Sequence, residues 1–208
     1  MRYLALAVDY DGTIARHGVV DDVTFAALER LKRSGRKLIL ATGRRIDELK
    51  QVMPRLDVFD RVVGENGALL VRPKTLEEVP LAPPPPPSFV RALRGAGVDP
   101  IAVGKVIVAT WTPHETTVLR TIRDLGLYLH IIFNKGAVMI LPPSVNKASG
   151  VKEALDDLGL SAHNLVGAGD AENDHAFLQM CEVSVAVQNA LPAVKARADI
   201  VAAGDHGD

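Results

Sequence analysis

Two apolar rhythms alternate along this chain. Short continuous apolar runs are followed by stretches in which apolar residues recur every three or four positions, the pattern of strands leading into amphipathic helices. Tyr3 to Val8 reads as a strand apolar on both faces, as in the middle of a parallel sheet. Thr24 to Ser34 sets Phe25, Leu28 and Leu31 at helical spacing, with Glu29, Arg30, Lys32 and Arg33 outward and Gly35 as the stop. Lys37 to Ala41 is a second buried strand, and a helix follows over Ile46 to Met53. Strand, helix, strand predicts a right-handed βαβ unit. Val62-Val63 is a third short strand, and the turn Gly64-Glu65-Asn66-Gly67 leads into Ala68 to Val71 as a hairpin.

The rhythm breaks at Pro73. Pro80 and the run Pro83 to Pro87 are not expected to pair in a sheet and predict a stiff, extended connector; the alternative is a proline-rich ligand for another protein. Helices are predicted over Ser88 to Ala96 and Pro113 to Leu125, and strands over Val106 to Trp111, Leu127 to Phe133 and Ala137 to Leu141. The last two flank Asn134-Lys135-Gly136, a glycine-containing hairpin turn. After Pro142-Pro143 the βα alternation resumes: helix Lys147 to Leu158, strand Asn164 to Ala168, helix 172–181, strand Glu182 to Val187, helix 190–197 and strand Ile200 to Ala202. The expected architecture is α/β. A three-layer, Rossmann-like parallel-sheet core from residues 1–73 and 143–208 carries a small α+β insert over 74–142. The polar end Gly204-Asp205-His206-Gly207-Asp208 fits a natural terminus or one piece of a longer chain.

Composition narrows this picture only a little. At 208 residues and 48% hydrophobic the chain can bury a substantial core. A net charge of −1 with no long basic run gives nucleic-acid or anionic-membrane binding no support. No apolar run reaches transmembrane length, and the first is too short for a signal peptide. The single cysteine, Cys181, excludes an internal disulfide or a cysteine-rich metal site and reads as a small core residue. The default expectation is a reducing, cytoplasmic setting.

The chemistry sits where strands end. Asp9 and Asp11 follow the first strand, at the edge where open α/β sheets bind ligands. Two neighbouring carboxylates repel each other and are costly to desolvate, and a divalent cation is the simplest compensation. Thr42-Gly43-Arg44 follows the second strand, and Asp170, Asn173 and Asp174 follow the strand after Asn164. A parallel sheet brings these ends to one edge, and Lys147 opens a nearby helix. Carboxylates, a lysine, hydroxyls and glycine-flanked N–H groups suit a hard cation beside a phosphate, and thus phosphoryl transfer.

Taken together these residues resemble the haloacid dehalogenase (HAD) superfamily of phosphatases, in its Cof-like branch. The four motifs match as Asp9-Tyr10-Asp11-Gly12-Thr13, Thr42-Gly43-Arg44, Lys147 and Gly169-Asp170-Ala171-Glu172-Asn173-Asp174. Asn66-Gly67-Ala68 and Val185-Ala186-Val187-Gln188-Asn189-Ala190 follow the branch as well. The resemblance implies a Mg²⁺-dependent phosphatase of small phosphorylated metabolites, phosphoglycolate or sugar phosphates, with residues 74–142 as a cap. It implies Asp9 as nucleophile, forming an aspartyl-phosphate, and Asp11 as general acid and base. Thr42, Gly43, Asn66 and Asn173 would hold phosphate or substrate. Lys147 would offset charge, and Asp9, the Asp11 carbonyl, Asp170 and Asp174 would serve the metal.

Several assignments stay open on the sequence alone. Arg44 and Arg45 reach either substrate phosphate or the neighbouring Asp47 and Glu48. Lys105, Lys135 and Arg72 are cations that either read a substrate carboxylate or stay solvated. His175 faces the site entrance or the surface. A phosphomutase of the phosphomannomutase type, and a non-hydrolysing regulatory module of a larger protein, are the competing functions. Monomer and homodimer both fit, with no nucleic-acid or membrane partner.

Overall fold

The computed structural model describes residues 3–206; Gly207 and Asp208 of the polar terminal segment lie outside the described residues. In chain order the first half runs β1 (Ala5–Asp9), α1 (Asp22–Arg33), β2 (Lys37–Ala41), α2 (Ile46–Val52), β3 (Arg61–Gly64), β4 (Leu69–Arg72), β5 (Glu77–Pro80), α3 (Pro87–Gly95), β6 (Ala102–Val103) and β7 (Val108–Trp111). The second half runs α4 (Glu115–Asp124), β8 (His130–Asn134), β9 (Ala137–Leu141), α5 (Lys147–Asp157), β10 (Leu165–Gly169), α6 (His175–Met180), β11 (Val183–Ala186), α7 (Pro192–Lys195) and β12 (Ile200–Val201).

The larger sheet has eight strands in the order β12-β11-β10-β1-β2-β3-β4-β5. From β12 to β3 every pairing is parallel, and β4 and β5 add an antiparallel edge. Period-two alternation divides its side chains between two layers of helices. In β2, Leu38 and Leu40 pack with Phe25 and Leu28 of α1 and Ile46 and Leu49 of α2. Ile39 and Ala41 face the other way, onto Val151 and Leu155 of α5 and Phe177 of α6. This is the three-layer α/β core expected from the continuous apolar strands. No helix of the described residues is long and apolar enough to cross a membrane.

A second, antiparallel sheet of four strands has the order β6-β7-β9-β8. Phe89 and Leu93 of α3 and Val118 and Ile122 of α4 cover one of its faces. On the other, Met139 and Leu141 pack with Ala68, Val106, Ile107 and Val145. The β8–β9 hairpin expected at Asn134-Lys135-Gly136 forms, but Asn134 pairs with Ala137, so the turn is the two residues Lys135 and Gly136, both at positive φ.

Two local expectations are corrected. Pro80 does pair: it lies opposite Leu69 at the end of β5, and residues 77–80, expected within the insert, belong to the larger sheet. β5 is the outermost strand, and an edge position asks no second ladder bond of a proline. Val106 and Ile107, expected within a strand, instead form the turn between β6 and β7. Their backbone N–H groups are taken by the Glu65 side chain. Cys181 is partly buried against the α5–α6 side, its thiol donates to the Phe177 carbonyl, and burial pushes its pKa up to about 12, as fits a core residue.

Candidate active site

Parallel register levels the strand ends. Asp9 lies beside Ala41, and Val8 beside Ala168, so Asp9, Thr42 and Asp170 leave the sheet at the same edge. A cleft of about 710 Å³ opens there, bounded by the small sheet opposite. Asp9, Asp11, Gly43, Arg44, Lys135, Asp170 and Asn173 all line it.

Lys147 is the buried cation of the site. It is 1% exposed, and its Nζ donates to Asp9 Oδ1 at 2.5 Å and to Asp174 Oδ1 at 2.6 Å. It occupies the first position of α5, capped by Asn146 and Ser149, where the helix dipole disfavours a positive charge. Two carboxylates outweigh that penalty. Burial alone would lower the ammonium's pKa, but Asp174 and Asp9 together hold it above the ordinary lysine range.

Three carboxylates converge on this cation. Oxygens of Asp9, Asp170 and Asp174, all buried, lie within 4.8 Å of one another. Burial, then the charge of Asp174, pushes the Asp9 carboxyl up to about 8, with Lys147 pulling the other way. Burial likewise raises Asp170, against a hydrogen bond from Lys135. Asp174 has both oxygens on protein donors, because Oδ2 also accepts the N–H groups of Asp170 and Ala171. It therefore holds the loop that presents Asp170. Among the described residues no hydrogen bond engages Asp9 Oδ2.

Asp11 lies differently. Its carboxylate is partly exposed and takes a two-pronged bond from Arg44, Nε to Oδ2 at 2.6 Å and Nη2 to Oδ1 at 2.7 Å. The Arg44 guanidinium also lies 5.5 Å from the centre of the Tyr10 ring. Of the two arginines, Arg45 takes Asp47 and Glu48 and reaches the Val103 carbonyl of the small sheet. Gly12 is held at φ +94 with the Asp170 carboxylate so near that a Cβ would lie 2.4 Å from it. Thr13 donates to Asp170 Oδ1 at 3.4 Å.

The donor set fits a hard divalent cation, which prefers carboxylate and carbonyl oxygens. A positive charge already sits on two of those oxygens: Lys135 Nζ donates to the Asp11 carbonyl at 3.0 Å and to Asp170 Oδ2 at 2.7 Å. These oxygens converge on one cation-sized position. Beside it, Asn173 Nδ2 donates to Asn66 Oδ1 at 2.9 Å, leaving Asn66 Nδ2 and Asn173 Oδ1 buried and without partners. Buried polar groups are rarely left so: a bound anion would accept from Asn66 Nδ2, and a water or ligand hydroxyl would donate to Asn173 Oδ1. Thr42 is buried with its Oγ1 accepting the Arg44 N–H, so its hydroxyl proton remains available to a ligand.

A family model described as haloacid dehalogenase-like hydrolase matches residues 6–94 and 105–208. This chain belongs to the haloacid dehalogenase-like hydrolase family. It is 26% identical over 211 residues to a phosphoglycolate phosphatase of Methanothermobacter thermautotrophicus, covering 98% of this chain and 94% of that relative. In fold it is similar to the Thermoplasma acidophilum protein 0175, with TM-score 0.82, 16% identity, and 100% and 94% of the two chains covered. It is also similar to a HAD subclass IIB sugar phosphatase, with TM-score 0.77, 21% identity, and 95% and 92% covered.

Asn189, in the segment that follows the Cof-like branch, finds its partner in the first motif. Asn189 Nδ2 donates to the Gly12 carbonyl at 2.7 Å, bracing the loop after Asp11. Of the three candidate carboxylate readers, Lys135 alone reaches the centre; Arg72 pairs with Asp157 and Glu77, and Lys105 with Glu78. His175 is partly buried and does not line the cleft. The Arg44–Asp11 pair was invisible because nothing local in the sequence joins residues 33 apart.

Proposed function

We propose that this HAD hydrolase is a Mg²⁺-dependent phosphatase acting on a small phosphorylated metabolite through an aspartyl-phosphate. The observation that carries the reading is the unequal environment of Asp9 and Asp11. Asp9 is buried, has one oxygen on Lys147, and lines the cleft with its other oxygen unbonded. Asp11 stands at the rim, partly exposed and oriented by Arg44. One is built to attack and the other to move a proton.

In this mechanism Thr42, the Gly43 N–H and Asn66 hold the phosphoryl oxygens. Asp9 Oδ2 attacks phosphorus, and the bond to the leaving oxygen breaks as Asp11 protonates it. Asp11 then takes a proton from water, which attacks phosphorus, frees inorganic phosphate and restores the Asp9 carboxylate. Lys147 pulls the Asp9 pKa down against burial and Asp174, favouring the carboxylate before attack and again on its release. Asp9, Asp170 and the Asp11 carbonyl would hold Mg²⁺, which supplies charge neutralisation at the phosphoryl oxygens. Asp174 supports that set through the loop and Lys147. The small sheet with α3 and α4 serves as the cap, and β5 belongs to the core.

The deciding experiment is phosphate release by purified protein with Mg²⁺ on p-nitrophenyl phosphate and a panel of phosphorylated metabolites. Full chelation is expected to reduce turnover to background, and added Mg²⁺ to restore it. Protein inert with several metals across the panel sinks the hydrolase reading. Transfer of phosphate between sugar positions without release would favour a mutase instead.

The names of the relatives and the position of Lys135 favour phosphoglycolate or a sugar phosphate as substrate. Lys135 has a flexible stem and a compact charge, and in this reading it turns to the substrate's distal anionic or hydroxyl group. Lys135→Ala is expected to raise KM for phosphoglycolate about tenfold, the size of one charge-assisted hydrogen bond. The KM for p-nitrophenyl phosphate should move less. Equal KM changes on both substrates would remove Lys135 from the specificity determinants.

A further inference from the structure

One buried carboxylate has no part in this mechanism. Glu65 is 1% exposed and does not line the cleft. It sits at φ +51 in the turn between β3 and β4, followed by Asn66 at φ +56 and Gly67 at φ +105. Consecutive left-handed residues are unusual outside glycine and persist only where the surroundings hold them.

Here the surroundings are three parts of the catalytic edge. The Glu65 N–H donates to the Arg44 carbonyl and the Asn66 N–H to the Thr42 carbonyl, each at 2.9 Å. Gly67 lies so close to the backbone before Lys147 that a Cβ there would be 1.9 Å from the Asn146 carbonyl oxygen. Asn66 takes the hydrogen bond from Asn173. One turn thus touches three of the four motif segments.

The Glu65 side chain leaves this hub and enters the small sheet. Oε1 accepts the Lys105 N–H at 2.8 Å, and Oε2 accepts those of Val106 and Ile107 at 2.7 and 2.9 Å. Three successive amides aimed at one point form a concavity for an anion, and a carboxylate fills it. The approach is tight: a Cβ on Gly104 would lie 2.5 Å from Oε1. The receiving segment joins β6 to β7, whose residues Ala102, Val103, Ala109, Thr110 and Trp111 form the cleft wall opposite Asp9.

We propose that Glu65 is a positioning residue that docks the β6–β7 turn onto the catalytic edge. It thereby sets the distance between the cleft wall and the phosphate site, and with it the grip on the substrate's leaving group. The kinetic part rests on the phosphatase reading; the docking part does not.

The test uses Glu65→Ala and the isosteric Glu65→Gln, in which an N–H₂ group replaces one acceptor oxygen. Amide hydrogen exchange at residues 105–107 is expected to accelerate more than about tenfold in Glu65→Ala, and less in Glu65→Gln. KM for p-nitrophenyl phosphate should rise roughly fivefold or more, whereas KM and kcat for acetyl phosphate, too short to reach the wall, should stay within about twofold. If Glu65→Ala does not fold, the same readouts on Glu65→Gln decide. Unchanged exchange at 105–107 overturns the docking. Equal losses on both substrates overturn the positioning role. A wild type that releases no phosphate would refute the phosphatase reading and leave the exchange experiment to judge the docking alone.

Discussion

Asp9→Asn is expected to abolish phosphate release while leaving the fold intact. The amide removes the attacking oxygen's charge, and loss of a covalent nucleophile lowers turnover on the order of 10⁴-fold or more. The fold should survive because Asp9 is the destabilised member of its cluster. Burial and then the Asp174 charge push its carboxyl up to about 8, so an uncharged group of the same shape relieves repulsion. Lys147 keeps its bond to Asp174 in the variant. The measurement is phosphate release beside a thermal melt. Residual turnover above roughly a hundredth of wild type would argue against covalent catalysis by Asp9. A marked fall in Tm would show that the charge of Asp9 is needed for stability instead.

Lys147→Met is expected to do the opposite, costing both stability and activity. Methionine fills a similar volume but leaves Asp9 and Asp174 buried side by side without their shared cation. Removing one partner of a buried ionic cluster typically costs about 3–5 kcal/mol. For a domain of this size that corresponds to a Tm lower by roughly 6–20 °C. Turnover should fall too, because Asp9 loses the charge that pulls its pKa down. The double variant Asp9→Asn, Lys147→Met distinguishes this cause from a packing defect. It should be more stable than Lys147→Met alone, since one of the two orphaned charges is gone. Additive losses would mean that Lys147 serves mainly as a filler of space.

Much of the core was legible in the chain. Alternate residues of β2, Leu38 and Leu40 against Ile39 and Ala41, bury on opposite faces, so a continuous apolar run already implies helices on both sides. Asp9, Thr42 and Asp170 each stand directly after such a run, so their meeting at one edge follows once the strands are parallel. Pro80 misled because proline's missing donor was weighed without knowing that its strand lies at the edge. Val106 and Ile107 misled because their strand-like side chains say nothing about which acceptor takes their N–H groups.

The sequence by itself determined most of the helices and strands, the parallel core and the set of residues available for phosphoryl chemistry. Periodicity and turn residues act between near neighbours, and a single chain records them directly. Only the tertiary structure decided the partners. The strand order β10-β1-β2 puts Asp170 beside Asp9, a two-residue hairpin carries Lys135 onto Asp170, Arg44 folds back on Asp11, and Glu65 ties the small sheet to the catalytic edge. Those choices depend on strand order and on the burial of charge. A buried carboxylate must find a donor or a cation wherever the fold brings one within reach, however far away it lies along the chain.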